Sequence, residues 1–302
     1  MRIALIGYGE VGRILAEDLR AGGHDVTAFD LKMRCGEAVP MRAHSVVHDV
    51  TLADSHAGAV RQAELVVSAV TASQTVAAAE SCAGALPPGA FFLDLNSASP
   101  GAKIAAAEHV ARAAGRYVEG AVMTSVPPHR IKVPLLLGGP HAAAVLPALQ
   151  QLGFQARLAS EQLGVASATK MCRSVIIKGL EAMVIESFSA ARRYGVEEAV
   201  LASLNETFPG VDWEKQAAYF FQRVIAHGRR RGEEMREAAN TVREAGFEPW
   251  IAAGTAERQA WMADLADEGL FGKRRQKGFA RSPDWRTEAD RILEHLKGAK
   301  EA

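Results

Sequence analysis

Arg2-Ile3-Ala4-Leu5-Ile6-Gly7-Tyr8-Gly9-Glu10-Val11-Gly12 opens the chain; a helix-prone run from Arg13 to Arg20 follows, then a second apolar segment, Asp25-Val26-Thr27-Ala28-Phe29, that ends on Asp30. The order is strand, glycines, helix, strand, acid. Within it Gly7 permits a tight turn, Gly9 lets the backbone approach a pyrophosphate, and Gly12 lets the helix pack closely on the strand. The helix N-terminus then offers free N–H groups and the positive end of its dipole to phosphates. Asp30 stands where it can accept both hydroxyls of an adenosine ribose, and its charge repels a 2′-phosphate, so NAD is expected in preference to NADP. Lys32 and Arg34 pull the other way. The glycine spacing alone is a weak signal, and a glycine-rich turn without a ligand would explain it; such a turn does not explain Asp30. Gly7, Tyr8, Gly9, Glu10, Val11, Gly12 and Asp30 are therefore the expected cofactor contacts.

Beyond Asp30, apolar β-prone runs alternate with alanine-rich helical stretches: strands over 64–70, 90–95, 116–121 and 133–138, and helices over 75–83, 102–114 and 142–151. That alternation predicts a doubly wound, mostly parallel α/β sheet. After Leu163 the strands cease, and helix-period segments take over at 165–194, 212–244 and 255–265, with a short helix over 288–297 after a basic, loop-like stretch at 273–287. A Rossmann domain over 1–162 and an all-α domain over 163–302 are expected. At 302 residues and 48% apolar, the chain can bury two cores. Lys+Arg and Asp+Glu both number 35, which argues against a nucleic-acid or membrane partner held by bulk charge. Cys35, Cys82 and Cys172 form no CxxC pair, so neither a disulfide framework nor a zinc motif is implied, and a reducing, cytoplasmic setting fits. The first apolar run is too short for a signal or spanning segment.

Ligands of open α/β sheets bind at the carboxyl ends of the strands. There Val70-Thr71 and Asp94-Leu95-Asn96-Ser97-Ala98-Ser99-Pro100 place small amide and hydroxyl groups where a cofactor ring would lie, although Ser97 or Ser99 before Pro100 also suits a helix cap. On the long helix from Val165, Lys170, Ser174 and Lys178 recur at four-residue spacing and so share one face. A lysine stripped of water there could shuttle a proton; equally, Lys170 and Lys178 could be solvated or pair with Glu181 or Glu186.

Gly7 to Gly12, Asp94 to Pro100 and Gly164 to Ser174, in this order and followed by a helical domain, resemble the β-hydroxyacid dehydrogenase superfamily, which includes 3-hydroxyisobutyrate and 6-phosphogluconate dehydrogenases. The resemblance spans nearly the whole chain. It implies that Lys170, six residues after Gly164, is the acid/base on the interdomain helix, and that Asp94, Asn96, Ser97 and Pro100 match a D-x-S-T-x-x-P-like loop bordering nicotinamide and substrate. Three departures stand out. Ser174 replaces the family's substrate-binding asparagine; Glu119-Gly120-Ala121-Val122-Met123-Thr124-Ser125 replaces D-A-P-V-S-G-G; and Arg230-Arg231 aligns with a late Lys-Asp pair. Arg229 to Arg231 either present guanidinium groups to an anionic substrate or form a salt-bridged helix surface. The pattern resembles a less characterised subgroup with a phosphogluconate-dehydrogenase-like C-terminal domain.

The expected activity is thus an NAD(P)-dependent interconversion of an alcohol, a β-hydroxy acid or related small acid, with its carbonyl. Lys170 would shuttle the proton, and Ser97, Thr124, Ser125, Ser174 and Arg230 would contact the substrate; imine reduction or a non-catalytic nucleotide sensor are the alternatives. His44, His48, Asp54 and His56 could be drawn as a metal cluster, but the flanking sequence reads as strand and loop with surface histidines, so no metal is expected. His129 is a loop histidine near the expected substrate segment. Trp213, Tyr219, Phe220 and Phe221 read as core more readily than as a pocket wall. Val175, Ile176, Ile177, Leu180, Met183, Val184, Ile185 and Phe188 put more apolar surface on one helix than a small domain covers, which predicts a homodimer or larger assembly.

Overall fold

The computed structural model describes residues 1–34, 38–274, 276, 279 and 282–301, with side chains to 298. Cys35 and part of the 273–287 stretch lie outside the described residues. The chain divides into two compact units: Met1–Cys172 with Glu244–Gly246, and Arg173–Arg243 with Phe247–Ala302.

The first unit is built on an eight-stranded sheet. Its elements run β1 (Arg2–Ile6), α1 (Glu10–Ala21), β2 (Asp25–Phe29), α2 (Ala38–Val47), β3 (Thr51–Leu52), α3 (His56–Val60), β4 (Leu65–Ser68), α4 (Thr75–Ala83), β5 (Phe91–Asp94), α5 (Pro100–Arg112), β6 (Arg116–Val122), α6 (Val126–His129), β7 (Leu135–Gly138), α7 (Ala142–Gln151) and β8 (Ala156–Ser160). The strand order is β3-β2-β1-β4-β5-β6-β7-β8, parallel except where β7 runs antiparallel to β6. Successive strand residues face opposite sides. Ile3, Leu5, Leu65, Val67 and Leu93 accordingly enter one core, while Ala4, Ile6, Val66 and Phe92 enter the other. Both faces are covered by helices, as a parallel sheet requires. The order reverses between β1 and β4, so the glycine turn after β1 lies at the switch point where such sheets take ligands.

The second unit is helical: most of α8 (Val165–Tyr194), α9 (Glu197–Thr207), α10 (Trp213–Glu244), α11 (Trp250–Asp267) and α12 (Trp285–Glu301). Val184, Ile185 and Phe188 pack with Trp213, Phe220, Phe221, Val224, Met262 and Trp285 in its core. Tyr219, grouped in sequence with those aromatics, is instead half exposed. Among the described residues, no helix is long and apolar enough to cross a membrane.

One local expectation needs correction, and two elements had none. The segment holding His44 and His48 is helical rather than a strand and loop: buried Met41 and Ser45 stand four apart, a helix period, while the β-branched Val46 and Val47 are exposed. Helix α9 and strand β8 were not anticipated. In β8 three successive residues are exposed, so the alternation that marks a half-buried strand is missing.

Candidate functional site

The glycine turn is shaped by close approach. Gly7 adopts φ +94°, and a Cβ there or on Gly12 would overlap, respectively, the Ala69 carbonyl or the Gly7 carbonyl. Around Gly9, by contrast, a Cβ would meet nothing within 4 Å. Gly9 is the N-cap of α1 and no side chain caps it, so the helix end faces open space with its dipole unblocked. These residues fit a dinucleotide pyrophosphate: two glycines bring the turn against the sheet and the third leaves room above the helix end. Asp30 follows β2 and accepts Tyr8 N–H at 2.7 Å and Lys32 N–H at 2.9 Å, which fixes its carboxylate beside the turn. Arg34 is turned toward the Asp54 carbonyl at 3.1 Å and the Phe29 ring. Glu10 is exposed and Val11 half-buried. Tyr8 offers backbone alone, because its ring is wholly buried and its hydroxyl bonds His44 Nδ1 at 2.8 Å; the phenol pKa is pushed up to about 12, chiefly by burial.

At the ends of β4 and β5, Asn96 is a buried clamp. Its Oδ1 accepts Val70 N–H at 2.7 Å and its Nδ2 donates to Ser68 Oγ at 3.0 Å. Thr71, next to Val70, is exposed. Asp94, fully buried, accepts Asn96 N–H at 2.8 Å and Tyr117 O–H at 2.6 Å and pairs with buried Lys103 at 2.8 Å. Burial, then the Asp94 charge, raises the Tyr117 phenol well above its ordinary value. The turn from Asp94 to Ser97 is thereby held by the side chains of Asp94, Asn96, Lys103 and Tyr117. Ser99 caps α5 by accepting Ala102 N–H at 3.3 Å, as its position before Pro100 suggested, and it donates to Glu244 at 2.7 Å.

Ser97 meets Lys170: the Nζ donates to the serine Oγ at 2.6 Å, across 73 residues of sequence. The half-buried lysine is one turn into α8, whose first turn is anchored by a second buried carboxylate. Glu119 Oε1 accepts Ala166 N–H at 2.8 Å and Oε2 accepts Ser167 O–H at 2.9 Å. Gly138, opposite Glu119 in the ladder, leaves the carboxylate its space; a Cβ there would overlap it. Asp94 and Glu119 are themselves paired in the β5–β6 register. The sequence places Asp94 and Glu119 in loop motifs, and their role as buried anchors was not anticipated. Glu119 carried a visible signal, a lone charge inside an apolar strand, as did Lys103 in an alanine-rich helix.

Thr124 is exposed and Ser125 half-buried where β6 gives way to α6; Ser125 is the N-cap of α6 without a side-chain bond, and His129 is exposed. In the second unit, buried Ser174 accepts from Lys178 Nζ at 3.3 Å. Lys178 pairs with Glu234 at 2.9 Å, not with Glu181 or Glu186, and burial lowers its pKa. Arg230 is exposed and lies 3.6 Å from Glu234, Arg231 is buried against Glu181, and Arg229 pairs with Asp264 and Asp267. Arg229 and Arg230 thus pair with carboxylates on the exposed side of the helix, while Arg231 is enclosed with Glu181. His56 stacks edge-on against Phe29, away from His44 and His48, which instead meet Glu17.

A parallel sheet with its glycine turn at the switch point, an acid after β2 and an unobstructed helix end defines a dinucleotide-binding protein of the Rossmann class. The chain belongs to the family of the NAD binding domain of 6-phosphogluconate dehydrogenase, matched over residues 2–155; residues 191–262 match a domain of unknown function (DUF1932). It is 39% identical to a conserved hypothetical protein from Sinorhizobium meliloti, with 96% of each chain covered and a TM-score of 0.73. A conserved protein of unknown function, MTH1747, whose structure is described as similar to 3-hydroxyacid dehydrogenases, is 28% identical over 89% of this chain and 98% of its own, with a TM-score of 0.68. The 3-hydroxyisobutyrate dehydrogenase of Mycobacterium tuberculosis, 18% identical, shares the fold at a TM-score of 0.70 over 88% of this chain and 95% of its own.

Proposed function

We propose that this protein is an NAD(P)-dependent oxidoreductase that interconverts the hydroxyl of a β-hydroxy acid, or a related small substituted acid, with a carbonyl. The observation that carries the reading is the Lys170–Ser97 contact of 2.6 Å, which aims a lysine amine at the loop following β5, on the carboxyl edge that also bears the glycine turn. Bound NAD(P) would supply the hydride acceptor or donor. The chain supplies the proton chemistry: Lys170 takes the hydroxyl proton on oxidation and returns it to the carbonyl oxygen on reduction, while Ser97 holds the amine in place. Thr124 and Ser125, at the end of β6, orient the substrate. Asp30 and the engagement of Arg34 with Asp54 support NAD over NADP.

The test has two stages. Calorimetry should show NAD binding more tightly than NADP, and a panel of hydroxy acids followed by nicotinamide absorbance should find turnover. Lys170→Met should then bind NAD with unchanged affinity and lose about a hundredfold or more of kcat, the usual share of a placed acid/base. Wild-type turnover in that variant would reduce Lys170 to a structural residue and remove the reading's support. We also propose a homo-oligomer, because Ile176, Ile177 and Met183 stand exposed on α8.

A further inference from the structure

On the α1–α2 side of the sheet unit, Glu17, His44 and His48 converge, with one ligand atom from each lying within 4.8 Å of the others. The local chain explains why. The His48 amide donates to the His44 carbonyl at 3.1 Å, so α-helical spacing carries one residue past the end of α2 and puts both imidazoles on one face, with ring centres 4.4 Å apart. Glu17 comes from α1, and its Oε1 is 2.9 Å from His44 Nε2.

We infer that Glu17, His44 and His48 form a site for a divalent transition ion of the zinc type. Two imidazoles and a carboxylate suit zinc, cobalt or nickel rather than magnesium or calcium, which take oxygen donors. Bonds of about 2.0–2.1 Å in a tetrahedron place ligand atoms roughly 3.3 Å apart, so the His44–Glu17 pair need open only slightly and His48 close slightly to admit the ion. All three residues are partly exposed, which leaves an entry path and a fourth position for water.

The surroundings support the donor set. Tyr8 O–H lies 2.8 Å from His44 Nδ1, the ring nitrogen turned away from Glu17, so it can steady the imidazole and accept Nδ1–H when Nε2 binds metal. A phenol serves as donor or acceptor, and the bond survives the change of tautomer. Arg130 engages the other oxygen of Glu17, Oε2, at 2.7 Å and leaves Oε1 to the site. Asp18, 2.8 Å from the same guanidinium, shares its charge. A bound ion would rivet α2, which follows the Asp30–Arg34 turn, to α1, which begins at the glycine turn.

The experiment uses tag-free full-length protein stripped with a chelator, since a histidine tag would bind the same ions. Cobalt(II) titration followed by its visible d–d bands should saturate at one ion per chain. Zinc should displace the cobalt and raise the unfolding temperature. His48→Gln, at a partly exposed position, should keep the metal-free unfolding temperature and lose saturable binding; Glu17→Gln should weaken it. The proposal is overturned if wild type takes up no cobalt or zinc at micromolar concentration. It is equally overturned if His48→Gln still binds one ion, a result that would assign the metal to another donor such as the exposed Cys172.

Discussion

Removing the Glu119 carboxylate should loosen the helix that carries Lys170, and the structure sets the size of the effect. In Glu119→Ala two bonds vanish, but their donors fare differently. Ser167 Oγ keeps the Gly164 carbonyl at 3.1 Å, whereas Ala166 N–H sits in the first turn of α8, where a helix supplies no carbonyl of its own. An orphaned buried amide costs about 1–3 kcal/mol, and the cavity left by the side chain adds to it, so about 3 kcal/mol is expected. Glu119→Gln keeps an oxygen for Ala166 and should lose only about 1 kcal/mol, the difference between a charged and a neutral acceptor. At roughly 2–4 °C per kcal/mol, the unfolding midpoint should fall by on the order of 6–12 °C for Ala and 2–4 °C for Gln, read by calorimetry or circular dichroism. Gly138→Ala supplies the cross-check, because its methyl group would displace the same carboxylate. In the Glu119→Ala/Gly138→Ala double variant the methyl meets empty space, so the combined loss should fall well short of the sum. Strictly additive losses would refute the idea that Gly138 exists to house Glu119.

Gly12→Ala should abolish NAD binding, measured by calorimetry, because its methyl group would collide with the Gly7 carbonyl and force the turn open. Lys103→Met should cost about 3–5 kcal/mol in urea unfolding by stranding the Asp94 charge, and should lower kcat once a substrate is known, since the Ser97 turn hangs from Asp94. Burial lowers the Lys178 pKa below its unfolded value of about 10.4, so the unfolded chain binds the extra proton in that interval and stability rises with pH across it; Lys178→Met should remove that part of the rise, seen by comparing urea midpoints of the two proteins. Light scattering at micromolar concentration should give the mass of a dimer or larger, and a monomeric mass would reject the proposed assembly.

The nucleotide end of the molecule was legible because its signals are local. Gly7, Gly9, Gly12 and Asp30 lie within one short stretch, and each has a backbone or charge duty that neighbouring residues define. Lys170 stood out through its spacing from Gly164 and a family resemblance, and Ser97 through its place after β5; the structure brings the two side chains together. What holds those two residues was not legible. Glu119 finds its partners 47 and 48 residues away, and Lys103 folds back across a loop onto the end of the preceding strand, so no periodicity announces either contact. Helix α2 was misread because exposed β-branched residues imitate a strand when the buried face is as sparse as Met41 and Ser45. That error also hid Glu17, whose approach to His44 depends on α2 lying beside α1 as a helix.

Asp94 and Glu119 occupy the same rung of the β5–β6 ladder, and one governs the turn that offers Ser97 while the other governs the helix that offers Lys170. The gap between serine and lysine is therefore gauged from a shared datum. Error does not accumulate along the intervening chain; it is limited to the play across one inter-strand step, about 4.8 Å wide and locked by backbone hydrogen bonds. Insertions or deletions in α6 or α7 can then drift without detuning the pair, provided β5 and β6 keep register. A one-residue slip between those strands would do the opposite, shifting the two mountings against each other and turning the carboxylate of the slipped strand to the wrong face of the sheet.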